Sequence, residues 1–202
     1  CIIETLWHNG IKGNMIAFIY NFMFNRKIRV KANGIYSKSV TLDNGVPQGS
    51  VLSVTLFLVA INGVAKHIIP PVKICLYADD IFIFNKGRDI NTTKQILQST
   101  LDQLLKWSAK TGFRFSASKT KCITFSRQRK KLNELILQLN GIKLDIVNTI
   151  KLLGLILDSK LTWIPHLKYL REECLKRLTL LKIIGARDFG VDLKIILNTY
   201  KA

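Results

Sequence analysis

The chain has 202 residues, 48% of them hydrophobic and 22% charged, enough apolar material for a real core and too much for a disordered tail. Its 31 Lys and Arg against 13 Asp and Glu give a net charge of +18, made up of +5 over residues 1–70, +5 over 71–125 and +8 over 126–202. A folded chain that is basic throughout points to a polyanionic partner, with nucleic acid ahead of an anionic membrane surface.

The sequence opens at Cys1 without a methionine and ends at Lys201-Ala202 inside a helical pattern, so a piece of a longer polypeptide is expected. No charged stretch followed by an apolar run and a small-residue cleavage site opens it, so no signal peptide is read. Cys1, Cys75, Cys122 and Cys174 include no CxxC pair, and His8, His67 and His166 stand apart. That spacing argues against a zinc site or a disulfide framework and for reduced, intracellular thiols.

In chain order, the first 25 residues read as helical, with Ile2, Ile3, Leu6 and Trp7, a break near Asn9-Gly10, then Ile16, Ile19, Phe22 and Met23. Alternation at Ile28 and Val30, the Asn33-Gly34 dipeptide, then Ile35 and Val40 predict a β-hairpin with one strongly basic face. Residues 44–65 hold no charge, but the dense apolar run is only Val51 to Ile61. A membrane span needs roughly 18–20 apolar residues, so a buried helix from about Ser50 to Lys66 is expected instead, stopped by Pro70-Pro71. Two strands, Val72–Leu76 and Ile81–Phe84, flank Tyr77-Ala78-Asp79-Asp80.

From about Thr93 to Thr111 the apolar spacing is helical, with Gly112 placed as a C-cap. Strand patterns follow at Phe113–Phe115, Lys121–Ser126, Leu135–Leu139, Ile142–Val147 and Ile150–Asp158, with a hairpin at Asn140-Gly141. Beyond Pro165 the pattern is helical again, with Leu167, Leu170, Cys174, Leu178 and Leu181 on one face and a last helix near Asp192. The irregular mixture of strands and helices is an α+β order, with a boundary near Pro165.

Four segments carry chemistry. Asp79 and Asp80 put adjacent carboxylates at a turn tip, where like charges repel and a divalent cation would relieve them; the plain alternative is that Asp is a common turn former. In nucleotidyl transfer, two such cations about 3.5–4 Å apart activate the attacking oxygen and stabilise the leaving one. Gly45-Val46-Pro47-Gln48-Gly49-Ser50 turns sharply into a helix N-terminus, suited to a phosphate, with a Gln48 amide able to read a sugar or base edge. An ordinary helix-entry loop reads the same way. Lys119, in Ser118-Lys119-Thr120-Lys121, can balance a triphosphate or protonate departing pyrophosphate, unless it is a solvated surface lysine. Arg26, Lys27, Arg29 and Lys31, and the run Arg127 to Lys131, can grip backbone phosphates; the second run reads equally as a solvated loop or a localisation signal.

GVPQGSVLSVTLF, YADD, GFRFSASKTK and IKLLGLILDSKLTW, in that order, resemble the reverse transcriptases of animal non-LTR (LINE-type) retrotransposons over nearly the whole chain. The resemblance implies a right-hand polymerase: fingers and palm over residues 1–164 and the start of a helical thumb over 165–202. It implies RNA-templated DNA synthesis from a primer 3′-hydroxyl, with Mg²⁺, or Mn²⁺ in its place, as cofactor. Its partners would be an RNA template, a DNA primer or target and deoxynucleoside triphosphates, in cytoplasm and nucleus, without stable membrane association. By the same resemblance Asp79 and Asp80 are the metal ligands, Pro47, Gln48, Gly49 and Tyr77 border the nucleotide, and Lys119 matches the lysine of the next motif. LGLILDSKLTW resembles the hairpin that supports the primer end.

Two departures stand out. The family takes a further aspartate from a palm strand preceding the region that matches Cys1, so the metal site is expected to be incomplete here and the isolated chain inactive. Val54 stands where the family usually has proline, which hints at a decaying copy. The rival readings are a non-catalytic nucleic-acid-binding remnant and a membrane-surface protein with basic amphipathic helices.

Overall fold

The computed structural model describes residues 2–42, 44–126, 135–185 and 190–201; Asp43 and the basic run Arg127 to Lys131 lie outside them. The chain forms two compact units, Cys1–Phe115 and Ser116–Ala202. The expected α+β mixture is what it builds.

In the first unit, α1 (Ile2–His8) and α2 (Asn14–Met23) flank the break at Asn9-Gly10, and α1 packs on both α2 and α3 (Val51–Asn62). Leu6, Ile19 and Leu56 form one buried cluster, with Ile3, Ile16, Met23 and Val46 against it. Val46 thereby ties the glycine-rich loop to the core. Helix α3 runs unbroken through Val54, so valine is compatible with the helix. It is apolar all round: Ser53, Leu56, Ala60 and Ile61 are buried, whereas Val51 is 90% exposed and Val54 and Leu58 are exposed too. A 3₁₀ turn, Gly63–His67, continues it before Pro70. At 12 residues α3 is about 18 Å long, and no helix among the described residues is long and apolar enough to cross a membrane.

The expected basic hairpin is two consecutive ladders. Strand β1 (Arg26–Ile28) pairs with β4 (Val40–Leu42), and β2 (Lys31–Ala32) pairs with β3 (Ile35–Tyr36) around Asn33-Gly34. The hairpin formed by β5 (Lys73–Tyr77) and β6 (Asp80–Phe84) follows. Helix α4 (Ile90–Thr111) starts three residues before the expected Thr93, because Asp89 caps it by accepting from the Thr92 N–H at 2.7 Å. It ends at Gly112 in the left-handed conformation, as the sequence predicts. Phe113–Phe115 is no strand; Phe113 and Phe115 stack on buried Trp107, at 5.0 and 6.1 Å between ring centres. Aromatic packing on the helix replaces sheet pairing there.

In the second unit the predicted strands are shorter than their patterns. Strand β7 (Lys121–Cys122) pairs in parallel with β10 (Asp145–Ile146), and β8 (Gln138–Leu139) pairs with β9 (Ile142–Lys143) across Asn140-Gly141. Leu135 and Leu137 are buried without joining a ladder. Strands β11 (Thr149–Leu152) and β12 (Leu155–Asp158) form a second tight hairpin, which packs on α5 (Ile164–Ile184). Helix α6 (Leu193–Lys201) lies against α5. Leu167, Leu170 and Leu178 are exposed, and α5 buries no residue.

Candidate active site

The β5–β6 hairpin is built by cross-strand pairing. Ile74 faces Ile83 and Leu76 faces Ile81 on one side of the ribbon, while Cys75 faces Phe82 and Tyr77 faces Asp80 on the other. A slip of one residue would turn the isoleucines outward, so the apolar pairs fix which side Asp80 occupies. Between Tyr77 and Asp80 only Ala78 and Asp79 remain, a two-residue turn. Ala78 has φ of +50° and Asp79 is not in the left-handed region, the arrangement of a turn that favours glycine at its first central position. Alanine there carries steric strain of about 1–2 kcal/mol, stored at the residue before the carboxylates.

Tyr77, Asp79 and Asp80 are all exposed. Among the described residues neither carboxylate has a hydrogen bond or an ion pair, and no three His, Cys, Asp or Glu side chains cluster into a ligand set. The hairpin thus presents two unspent anionic oxygen donor groups in a chain of charge +18. Hard cations take such donors, so Asp79 and Asp80 fit a divalent metal as part of its shell.

The loop Gly45–Ser50 is held from both arms. Gly45 and Gly49 sit at φ of +81° and +87°, where an L side chain would be strained. Buried Ser53 donates its hydroxyl to the Pro47 carbonyl, and Arg26 donates to the Asn44 and Gly45 carbonyls at 3.1 and 2.8 Å. What these anchors leave outward is Gln48 and Gly49, both exposed, with Pro47 half-buried behind them. The structure therefore gathers Pro47, Gln48 and Gly49 on one loop and Tyr77, Asp79 and Asp80 on one hairpin end, both in the first unit. Lys119 belongs to the second unit, exposed in a turn closed by the Thr120 N–H on the Ser116 carbonyl.

Of the basic residues, Lys27, Arg29 and Lys31 are exposed. Arg29 and Lys31 each lie 5.2 Å from the centre of the exposed Tyr36 ring. An aromatic face flanked by two cations is a surface on which a base and a phosphate can be held together. Arg26 differs: it is half-buried and its guanidinium is turned to backbone carbonyls.

One residue escapes sequence reasoning. Asp158 ends β12, is 8% exposed, and its carboxylate accepts from the N–H groups of Lys160, Thr162 and Trp163 at 3.3, 3.0 and 2.9 Å and from the Thr162 hydroxyl at 3.0 Å. Those bonds hold Leu161 and Trp163 at φ of +53° and +65°, and Trp163 caps α5 with Pro165 in its first turn. The Thr162 backbone N–H, with the Trp163 and Lys160 N–H groups and the Thr162 hydroxyl adding, holds the Asp158 carboxyl below its ordinary range despite the cost of burial. An aspartate closing an apolar strand just before a Pro-started helix is the signal that would have found it.

The profile of the reverse transcriptase (RNA-dependent DNA polymerase) family matches residues 3–157, which contain the loop, the Asp79–Asp80 turn and Lys119. This chain belongs to the reverse transcriptase family. An RNA-directed DNA polymerase from the mobile element jockey of Drosophila funebris is 30% identical over 92% of this chain and 22% of its own length. A probable RNA-directed DNA polymerase from transposon BS of Drosophila melanogaster is 28% identical over 95% of this chain and 23% of its own. The jockey polymerase of Drosophila melanogaster is 26% identical over 98% and 23%. The reverse-transcriptase chain thus spans under a quarter of the length of these curated relatives. The mobile-element source of all three agrees with the retrotransposon resemblance of the motifs.

Proposed function

We propose that this chain is the nucleotide-joining segment of an RNA-directed DNA polymerase that acts during retrotransposition. The observation that carries the reading is the pair of carboxylates, without a partner among the described residues, on a register-locked, strained hairpin within a stretch matched by the reverse transcriptase profile. Asp79 and Asp80 hold Mg²⁺, or Mn²⁺ in its place. When bound, divalent cations lower the charge barrier at the attacking primer oxygen and the leaving pyrophosphate. Gln48 and Gly49, with Pro47 behind them, border the incoming deoxynucleoside triphosphate, and Tyr77 flanks it from the hairpin. Lys119 neutralises the triphosphate. Lys27, Arg29 and Lys31 hold phosphates of the RNA template and DNA primer. Residues 1–164 serve as fingers and palm and 165–202 begin the thumb, and the protein works in cytoplasm and nucleus without stable membrane association.

The alternative is a remnant that binds nucleic acid without chemistry. Both readings expect template–primer binding, and only the first expects Mg²⁺-dependent retention of the complementary deoxynucleoside triphosphate on that complex. Fluorescence titration of a labelled triphosphate, with each of the four bases at the templating position, separates them. Template-matched binding supports the polymerase reading; binding of template–primer alone leaves the remnant. Loss of template–primer binding to anionic vesicles would instead favour a membrane surface.

A further inference from the structure

Arg26 stands at the start of β1, paired across the ladder with Leu42, directly before the glycine-rich loop. Its Nε donates to the carbonyl of Met23, the last residue of α2, at 2.8 Å. Its Nη2 donates to the carbonyls of Asn44 and Gly45 at 3.1 and 2.8 Å. One planar fork therefore joins a helix end, where carbonyls lack intrahelical partners, to the entry of the loop. The cation also suits the negative end of α2. Gly45 is the left-handed kink that turns the loop, so holding its carbonyl fixes the direction in which Gln48 and Gly49 leave. Ser53 on the Pro47 carbonyl and Val46 in the core fix the other arm. Lysine cannot replace this fork, because a single ammonium on a flexible stem does not reach carbonyls lying in two directions with fixed geometry.

We infer that Arg26 is a positioning residue for the Pro47–Gly49 surface, in place of the phosphate grip its sequence neighbourhood suggests. The inference deepens the proposed function, since it rests on that surface bordering the nucleotide. The test compares Arg26→Lys, Arg26→Ala and Lys27→Ala in the 202-residue chain, by backbone order parameters from NMR relaxation and by the salt dependence of template–primer binding. Both Arg26 variants should lower the order parameters over residues 44–50 from about 0.85 towards about 0.6, with α4 unchanged. The slope of log K against log salt should stay at the parent value for both. Lys27→Ala should lower that slope by about one and leave the loop as ordered as in the parent. Where the parent chain retains nucleotide, Arg26→Lys should weaken nucleotide binding while template–primer affinity holds.

A loop as ordered as in the parent in Arg26→Lys overturns the inference, because charge alone would then suffice. So does an equal loss of order in α4, which would make Arg26 a general stability residue. So does a lowered salt slope with an ordered loop in Arg26→Ala. Failure of the parent chain to bind template–primer counts against the proposed function, and the order-parameter comparison still decides the role of Arg26.

Discussion

The carboxylate of Asp158 accepts four hydrogen bonds from the turn it begins, whereas those of Asp79 and Asp80 accept none among the described residues. Both sites follow or form a tight β-hairpin, and both carry left-handed non-glycine residues: Ala78 in one, Leu161 and Trp163 in the other. In the Asp158 turn the strain is held by the acid itself, so the group is buried and structural. In the Asp79–Asp80 turn the strain is held by the apolar ladder of Ile74, Leu76, Ile81 and Ile83, so the acids remain available. Where a carboxylate stabilises its own backbone it has little left for a ligand; where the sheet does that work, it is free for one.

The largest effect expected from breaking this contrast is at the free pair. Asp79→Asn with Asp80→Asn should abolish the Mg²⁺-dependent part of nucleotide binding, since a hard cation loses both carboxylate donors of the hairpin. Thermal melting should show the fold no less stable, because two like charges are removed. Asp158→Ala should do the reverse: the N–H groups of Thr162 and Trp163 lose their acceptor, and the melting temperature should fall by about 5 °C with template–primer affinity little changed in the folded protein.

How much of this was legible follows from what sequence encodes. The Tyr77–Asp80 turn, the Asn33-Gly34 and Asn140-Gly141 hairpins and the Gly112 cap were readable, because alternation and glycine report local geometry. The family was readable from motif order. The direction of a long side chain was not: Arg26, Lys27 and Arg29 are one basic run in sequence, yet Arg26 turns inward to three carbonyls. Phe113 and Phe115 alternate like a strand but are captured by Trp107, a tertiary contact that no local pattern contains. Asp158 differs, since its donors lie within five residues: its signal, an aspartate closing an apolar strand before a Pro-started helix, is local and weak, because the backbone N–H groups converge only once the turn forms.

Acid sharpens the comparison further. The folded Asp158 carboxyl lies below its unfolded value of about 3.9. Its contribution is therefore fully present above that value and is lost as pH falls through the lower folded one. An acid titration followed by exchange of residues 158–163 should show them loosening below about pH 4, and Asp158→Asn should remove that acid-dependent step. The smallest effect is at Ala78. Ala78→Gly should stabilise the hairpin by about 0.5–1 kcal/mol in urea denaturation, the relief of left-handed strain less the added chain entropy. No gain would mean that the turn is not strained as its φ indicates.

The most direct test of the free-versus-spent contrast is a Mn²⁺ titration of the isotopically labelled chain, read as paramagnetic broadening of backbone amide signals. The account predicts broadening first at Tyr77 to Ile81, abolished by Asp79→Asn with Asp80→Asn, and no early broadening at Asp158 to Trp163. Broadening that begins at Asp158, or that survives the double substitution at the hairpin tip, would contradict it.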